Sequence, residues 1–205
     1  MDVFLDTGVI FSYYVPDGHH KNVLSFYNSH KSEINSEITC KKVYSELEGI
    51  QHKIRGYLKD AGQSYTRTDI AKLSSIMKRH ALGIISQECF SSIDEPLYQT
   101  LHDCLDSEFE NKADLEIFKN AIVWGIKGNG SNIPENPVFF TADKGDYFRD
   151  YETWTKHKLL ELLKEYLLDK TKYSEDELNR NLVSLYYIGK GDFKLYSPEG
   201  KIKEL

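Results

Sequence analysis

The sequence predicts an α/β fold in which a parallel sheet is flanked by helices. Three short apolar runs, residues 1–5, 34–39 and 137–141, have the length and composition of strands. The stretches between them carry apolar residues every three or four positions, the repeat of a helix with one buried face. Strands separated by helices in this way are joined by crossovers, which favours parallel pairing.

Each element follows in order. Residues 1–5 form the first strand, which ends at Asp6-Thr7-Gly8. Residues 9–14 are apolar and begin a helix or tight turn that Pro16-Asp17-Gly18 closes. Residues 20–29 read as a helix with Val23, Leu24, Phe26 and Tyr27 on one side, and residues 34–39 as a weaker second strand. Residues 41–58 give the clearest helix, with Val43, Leu47, Ile50, Ile54 and Leu58 forming a single stripe. Thr68 is expected to cap the next helix, through Ile70, Leu73, Ile76 and Met77. Ser92-Ile93-Asp94-Glu95 has the form of a capping box and starts another helix, and residues 112–127 make a further one. A loop rich in Gly, Asn and Pro then leads to the strand at 137–141. Beyond residue 150 come a leucine-rich helix at 155–169 and a second capping box, Ser174-Glu175-Asp176-Glu177. Two apolar runs around Gly189-Lys190-Gly191-Asp192 read as a β-hairpin. The expected organisation is a body over residues 1–150 and a small α+β extension over 151–205.

Composition narrows the function classes. Hydrophobic residues make up 40% and charged residues 28%, ordinary for a chain that buries a core. No apolar run approaches the roughly 18 residues of a membrane span, and the start, interrupted by Asp2 and Asp6, does not read as a signal peptide. Three cysteines, Cys40, Cys89 and Cys104, with no C-x-x-C pair, argue against a disulfide framework or structural zinc and for a reducing cytoplasm. The net charge of −6 is unevenly spread. Residues 51–80 hold seven Lys/Arg against Asp60 and Asp69, whereas the rest of the chain holds 19 bases and 30 acids. A basic stretch on an acidic body suits a phosphate-binding arm beside an acidic metal site, although solvated helix faces give the same pattern.

The acids point to the chemistry. Asp6 follows the first strand and Asp143 the last, and ligands in parallel sheets bind beyond the carboxyl ends of strands. Asp114 falls in the first turn of a helix, where the helix dipole favours a carboxylate. Glu46 sits beside core-facing Leu47, at the edge of a buried face. Carboxylates brought together repel one another and call for a cation, and oxygen-only ligand sets suit Mg²⁺ and Mn²⁺. Such ions activate water and stabilise displacement at phosphorus without a nucleophilic side chain.

These residues stand in motifs that resemble the PIN-domain nucleases. Phe4-Leu5-Asp6-Thr7 is similar to that family's opening strand, and Tyr44-Ser45-Glu46-Leu47-Glu48-Gly49 to its second motif. Asp114 with Ile117, Ala121 and Gly125 resembles the third, and Thr141-Ala142-Asp143-Lys144-Gly145-Asp146-Tyr147-Phe148 the fourth. The resemblance spans roughly residues 1–150 and implies a three-layer α/β/α domain that hydrolyses single-stranded RNA as a metal-dependent endoribonuclease. Asp6, Glu46, Asp114 and Asp143 would be the catalytic and metal-holding acids, Asp146 a further metal acid, and Thr141 and Thr7 supporting hydroxyls. The cofactor would be Mg²⁺ or Mn²⁺. RNA would be gripped from a helical insertion at about 50–110, by Arg55, Lys72, Lys78 and Arg79. A homodimer and an antitoxin or other regulatory protein are the partners the family brings with it; no membrane is implied.

Competing readings are weaker. Asp6-Thr7-Gly8 is also the aspartic-protease tripeptide, but no second copy exists and the chain is mostly helical. A haloacid-dehalogenase phosphatase needs an Asp at position 8, which is Gly, and Asp2 is out of register for a receiver's acidic pair. The remaining alternative is a catalytically silent PIN-like module that binds RNA or protein. His19-His20 reads as a pair of loop or helix-start residues; Tyr13, Tyr14, Tyr44 and Tyr57 could stack on bases, but their helical spacing favours packing roles.

Overall fold

Two strands buried on both faces organise the chain. In the computed structural model, Val3, Phe4 and Leu5 of β1 (Asp2–Leu5) are fully enclosed, as are Phe139, Phe140 and Thr141 further along the chain. Continuous apolar runs of this kind belong to central parallel strands covered on both sides. The structure describes residues 1–85, 95–129, 132–148, 157–190 and 193–200.

After β1 come α1 (Thr7–Tyr14), α2 (His20–His30) and β2 (Ser36–Ile38), then α3 (Lys41–Glu48), α4 (Gln51–Asp60) and α5 (Arg67–Ile84). They are followed by α6 (Glu95–Leu105), α7 (Lys112–Lys127), β3 (Val138–Thr141) and the single turn α8 (Gly145–Phe148). The chain continues through α9 (Lys158–Lys170) and α10 (Glu175–Asn181) into β4 (Ser184–Ile188) and β5 (Phe193–Tyr196). The fold is thus α/β, with ten helices among the described residues and one five-stranded sheet in the order β2-β1-β3-β4-β5. The first three pairings are parallel and only β4–β5 is antiparallel, as its short hairpin connection requires. Among the described residues no helix is long and apolar enough to cross a membrane.

Several local expectations need correction. The helix expected over 41–58 is two helices, broken at Gly49 and Ile50. Glycine is a poor interior helix residue, and the His52 ring nitrogen Nδ1 lies 2.8 Å from the Gly49 carbonyl that the break releases. Thr66, not Thr68, caps α5: its side chain accepts from the Asp69 amide while the Asp69 carboxylate accepts from the Thr66 amide. That reciprocal pair needs an acid three residues on, which only Thr66 has. The Ser174 box forms as expected. Of the other expected box, Ser92-Ile93-Asp94 lie outside the described residues, and α6 begins at Glu95.

The segment expected as an extension supplies two of the five strands. β4 lies parallel on β3, with Thr141 opposite Tyr187. α7, buried on nearly every side, lies beneath the link from α10 to β4. Gly125 marks their closest approach, because a Cβ there would stand 2.5 Å from the Asn181 carbonyl oxygen and 2.9 Å from Val183 Cγ1. A backbone carbonyl cannot step aside cheaply. Gly125→Ala is therefore expected to cost about 1–3 kcal/mol by overpacking, although alanine alone would favour the helix by about 1 kcal/mol. Urea denaturation checks this: the midpoint should fall with the slope unchanged, and an equal or higher midpoint would refute the close packing.

Candidate active site

The site begins where β1 stops. Asp6 continues the parallel ladder by donating its amide to the Phe140 carbonyl at 3.0 Å, then caps α1 by accepting the Thr7 amide on Oδ1 at 2.7 Å. Its other oxygen accepts the Thr141 hydroxyl at 2.8 Å. That hydroxyl in turn accepts the Asp143 amide at 3.0 Å, so one threonine fixes both strand-end acids. Asp6 is only 4% exposed.

The other acids come from separate elements. Glu46, on α3, accepts the Thr7 hydroxyl at 2.5 Å, so Thr7 links the α1 start to α3. Asp114 lies in the first turn of α7, which Asn111 caps by accepting the Ala113 amide. The buried Tyr147 hydroxyl donates to the Asp114 carbonyl at 3.2 Å and ties α8 to that turn. Asp143 is exposed after β3 and accepts the Gly145 amide at 2.9 Å. Asp6, Glu46, Asp114 and Asp143 all line one cleft of about 510 Å³. Asp146 does not line it; Asp146 accepts the amide of Asn111, the N-cap of α7, at 2.6 Å. Glu48, the weaker alternative to Glu46, is exposed and does not line it either.

Crowded negative charge marks the cluster. Burial pushes the Asp6 carboxyl up to about 8, with Asp114 and Glu46 adding repulsion against the opposing Thr141 and Thr7 hydrogen bonds. Burial also raises Asp114 to about 7, reinforced by Asp143, Glu46 and Asp146. Shifts of this size mark functional sites more often than structural ones. As the side chains stand, no group of three or more His, Cys, Asp or Glu among the described residues is placed to hold an ion. The oxygens of Asp6 and Glu46 are turned instead to N–H and O–H donors. The donor chemistry nonetheless fits a hard divalent cation: four carboxylates, no thiolate, and repulsion that a cation would relieve.

The cleft also holds residues to which sequence alone assigns no role at the site. Asp17, within Pro16-Asp17-Gly18, lines it while accepting the Ser12 hydroxyl and the His19 amide. His19 and His52 are on its wall, each with Nδ1 against a backbone carbonyl, those of Ile188 and Gly49. Asn111 was discoverable, since Asn three residues before a first-turn acid is a capping signal. Of the basic stretch only Lys53 lines this cleft. Arg55, Lys72 and Arg79 are exposed elsewhere, and Lys78 is half-buried. Comparison with known protein families, with curated proteins and with solved structures returns no match.

The raised acids make stability depend on pH in a fixed direction. The unfolded chain releases these protons near pH 4, whereas the folded chain keeps them to about 8 at Asp6 and about 7 at Asp114. Between those limits the folded state binds more protons, so their contribution to stability is lost as pH rises from about 4 towards 8. In EDTA, Asp6→Asn should therefore melt higher than wild type near pH 8, by at least the roughly 2–4 °C that 1 kcal/mol produces in a chain of this size. The gap should close towards pH 4. Calorimetry across this range tests it, and a gap independent of pH would contradict the buried-acid assignment.

Proposed function

We propose that this chain is a Mg²⁺- or Mn²⁺-dependent endoribonuclease of the PIN type, acting on single-stranded RNA. One observation carries the reading: acids from positions 6, 46, 114 and 143, on four separate elements, face one cleft, and two of them are strongly raised by burial and mutual repulsion. A structural role does not explain this arrangement, since uncompensated carboxylates destabilise a fold. The motif resemblance at the same four positions supports it, and the mostly parallel sheet is compatible with a three-layer α/β/α domain.

In this reading Asp6, Glu46, Asp114 and Asp143 hold the ion. When bound, such an ion supplies Lewis-acid stabilisation to an in-line displacement at phosphorus and lowers the pKa of attacking water. The protein's own residues do the rest. Thr141 and Thr7 aim the Asp6 and Glu46 carboxylates by hydrogen bonds at 2.8 and 2.5 Å. Tyr147 holds the Asp114 turn against α8. Asp146, the further metal acid of this reading, also braces the same turn by accepting the Asn111 amide.

The test is cleavage of a labelled single-stranded RNA pool with Mg²⁺, Mn²⁺ or EDTA. Wild type should cut only with metal, while Asp6→Asn and Glu46→Gln should lose at least about 100-fold, beyond the usual 10–100-fold cost of removing a partner that orients a ligand. No cutting by wild type in either metal would overturn the nuclease and favour the silent binding module. Thr141→Val, which removes only the orienting hydroxyl, should fall within that 10–100-fold range in activity or metal affinity, read from Mn²⁺ titrations. An unchanged titration would refute its role.

A further inference from the structure

Building on the nuclease reading, we propose that α4 forms a nucleotide subsite beside the carboxylates, in which the Lys53 ammonium takes a phosphate and the Tyr57 ring stacks on an unpaired base. The break at Gly49 starts α4 at the cleft wall, and Gly49, Ile50, His52, Lys53 and Tyr57 all line the cleft that holds the four acids. Lys53 and Tyr57 are four residues apart, neighbours on one helix face and about 6 Å apart along the axis. A phosphate and the base of the same nucleotide span a distance of this order.

Each side chain has an otherwise unexplained feature. Lys53 is exposed, and although its cleft holds four carboxylates it makes no ion pair among the described residues. A cation in an acidic cleft that pairs with none of the acids is available to an incoming anion. Tyr57 is 43% exposed, with its ring 5.5 Å from that of Phe11 at an angle of 58°, so it is braced by Phe11 and still partly open to the cleft. Tyr13 and Tyr14 pack against each other at 4.9 Å and line a different pocket with His80, while Tyr44 lines neither. Of the four tyrosines that could stack on bases, only Tyr57 stands at the acids. Aromatic platforms joined to a basic contact are how single strands are held without reading sequence. A base paired and stacked within a duplex has no free face to offer, so this subsite selects for single strands.

Fluorescence anisotropy with a short labelled oligouridylate, in EDTA so that no metal-dependent cutting occurs, tests the assignment. Tyr57→Ala should weaken binding about 5- to 150-fold, the worth of one base–aromatic stack, while Tyr57→Phe and Tyr57→Trp should keep it. Repeating the measurement with a single abasic site walked along the strand should locate one position where Tyr57→Ala no longer matters. Lys53→Ala should reduce the slope of log affinity against log salt by about 0.7, one phosphate contact on a single strand. Unchanged binding by Tyr57→Ala, or a loss that persists at every abasic position, overturns the subsite while leaving the nuclease intact if wild type still cuts. A wild type that neither binds nor cuts any single strand overturns both.

Discussion

Parallel pairing of β1 with β3 is the constraint on which the rest of this structure depends. The register sets Leu5 opposite Phe140, and the Asp6 amide adds the last rung to Phe140, so Asp6 meets the Thr141 hydroxyl at the strand ends. Neither strand can run further with its apolar pattern. A carboxylate carried deeper between covering helices would lose its hydration without compensation. At the carboxyl end of β1 it caps α1 and accepts a hydroxyl, so the same residue ends the strand, starts the helix and faces the cleft. The position of the acids follows from where the hydrophobic run stops.

A packed aromatic floor holds the repelling acids in place. Tyr147 is fully buried, its ring 5.1 Å from Phe139, 5.7 Å from Phe118 and 5.6 Å from Phe109, and its hydroxyl reaches the Asp114 carbonyl. Four carboxylates would otherwise separate by shifting α7 or the loop after β3. Cores of this density do not deform by small steps, so burial first, and repulsion second, appear as raised pKa values at Asp6 and Asp114.

What the sequence disclosed and what it hid have physical causes. Asp6 and Asp143 were legible because they follow apolar runs, and residues that end such runs sit at the carboxyl ends of the strands. Thr141 was legible from its place two residues before Asp143. The division of the 41–58 helix was hidden because its apolar stripe passes through Gly49 without a change of phase; only glycine's low propensity hinted at a break. Joining of the C-terminal strands to the central sheet was hidden too, since a hairpin pattern names β5 as the partner of β4 and says nothing of the strand on its other side. Where the basic stretch lies relative to the cleft was hidden for a related reason. Charge summed along a sequence carries no direction: Lys53 lines the cleft, whereas Arg55, Lys72 and Arg79 are exposed and do not.

That geometry also resolves how an acidic chain could take a polyanion. Over distances longer than about 8–10 Å, salt screens exposed charges, so the net charge of −6 matters less to a bound phosphate than the groups lining its cleft. There three of the four acids sit deeper than the cation: Asp6 is nearly buried and Glu46 and Asp114 are half-buried, whereas Asp143 and Lys53 are exposed. In the proposed reading an arriving strand meets Lys53 and Tyr57 of α4 at the same level as Asp143 and above the three deeper acids. In the proposed reading the deep carboxylates are reserved for a cation and the outer face of the cleft for the nucleic acid. The same acids that make the chain negative overall then become the reason a phosphate can be held beside them.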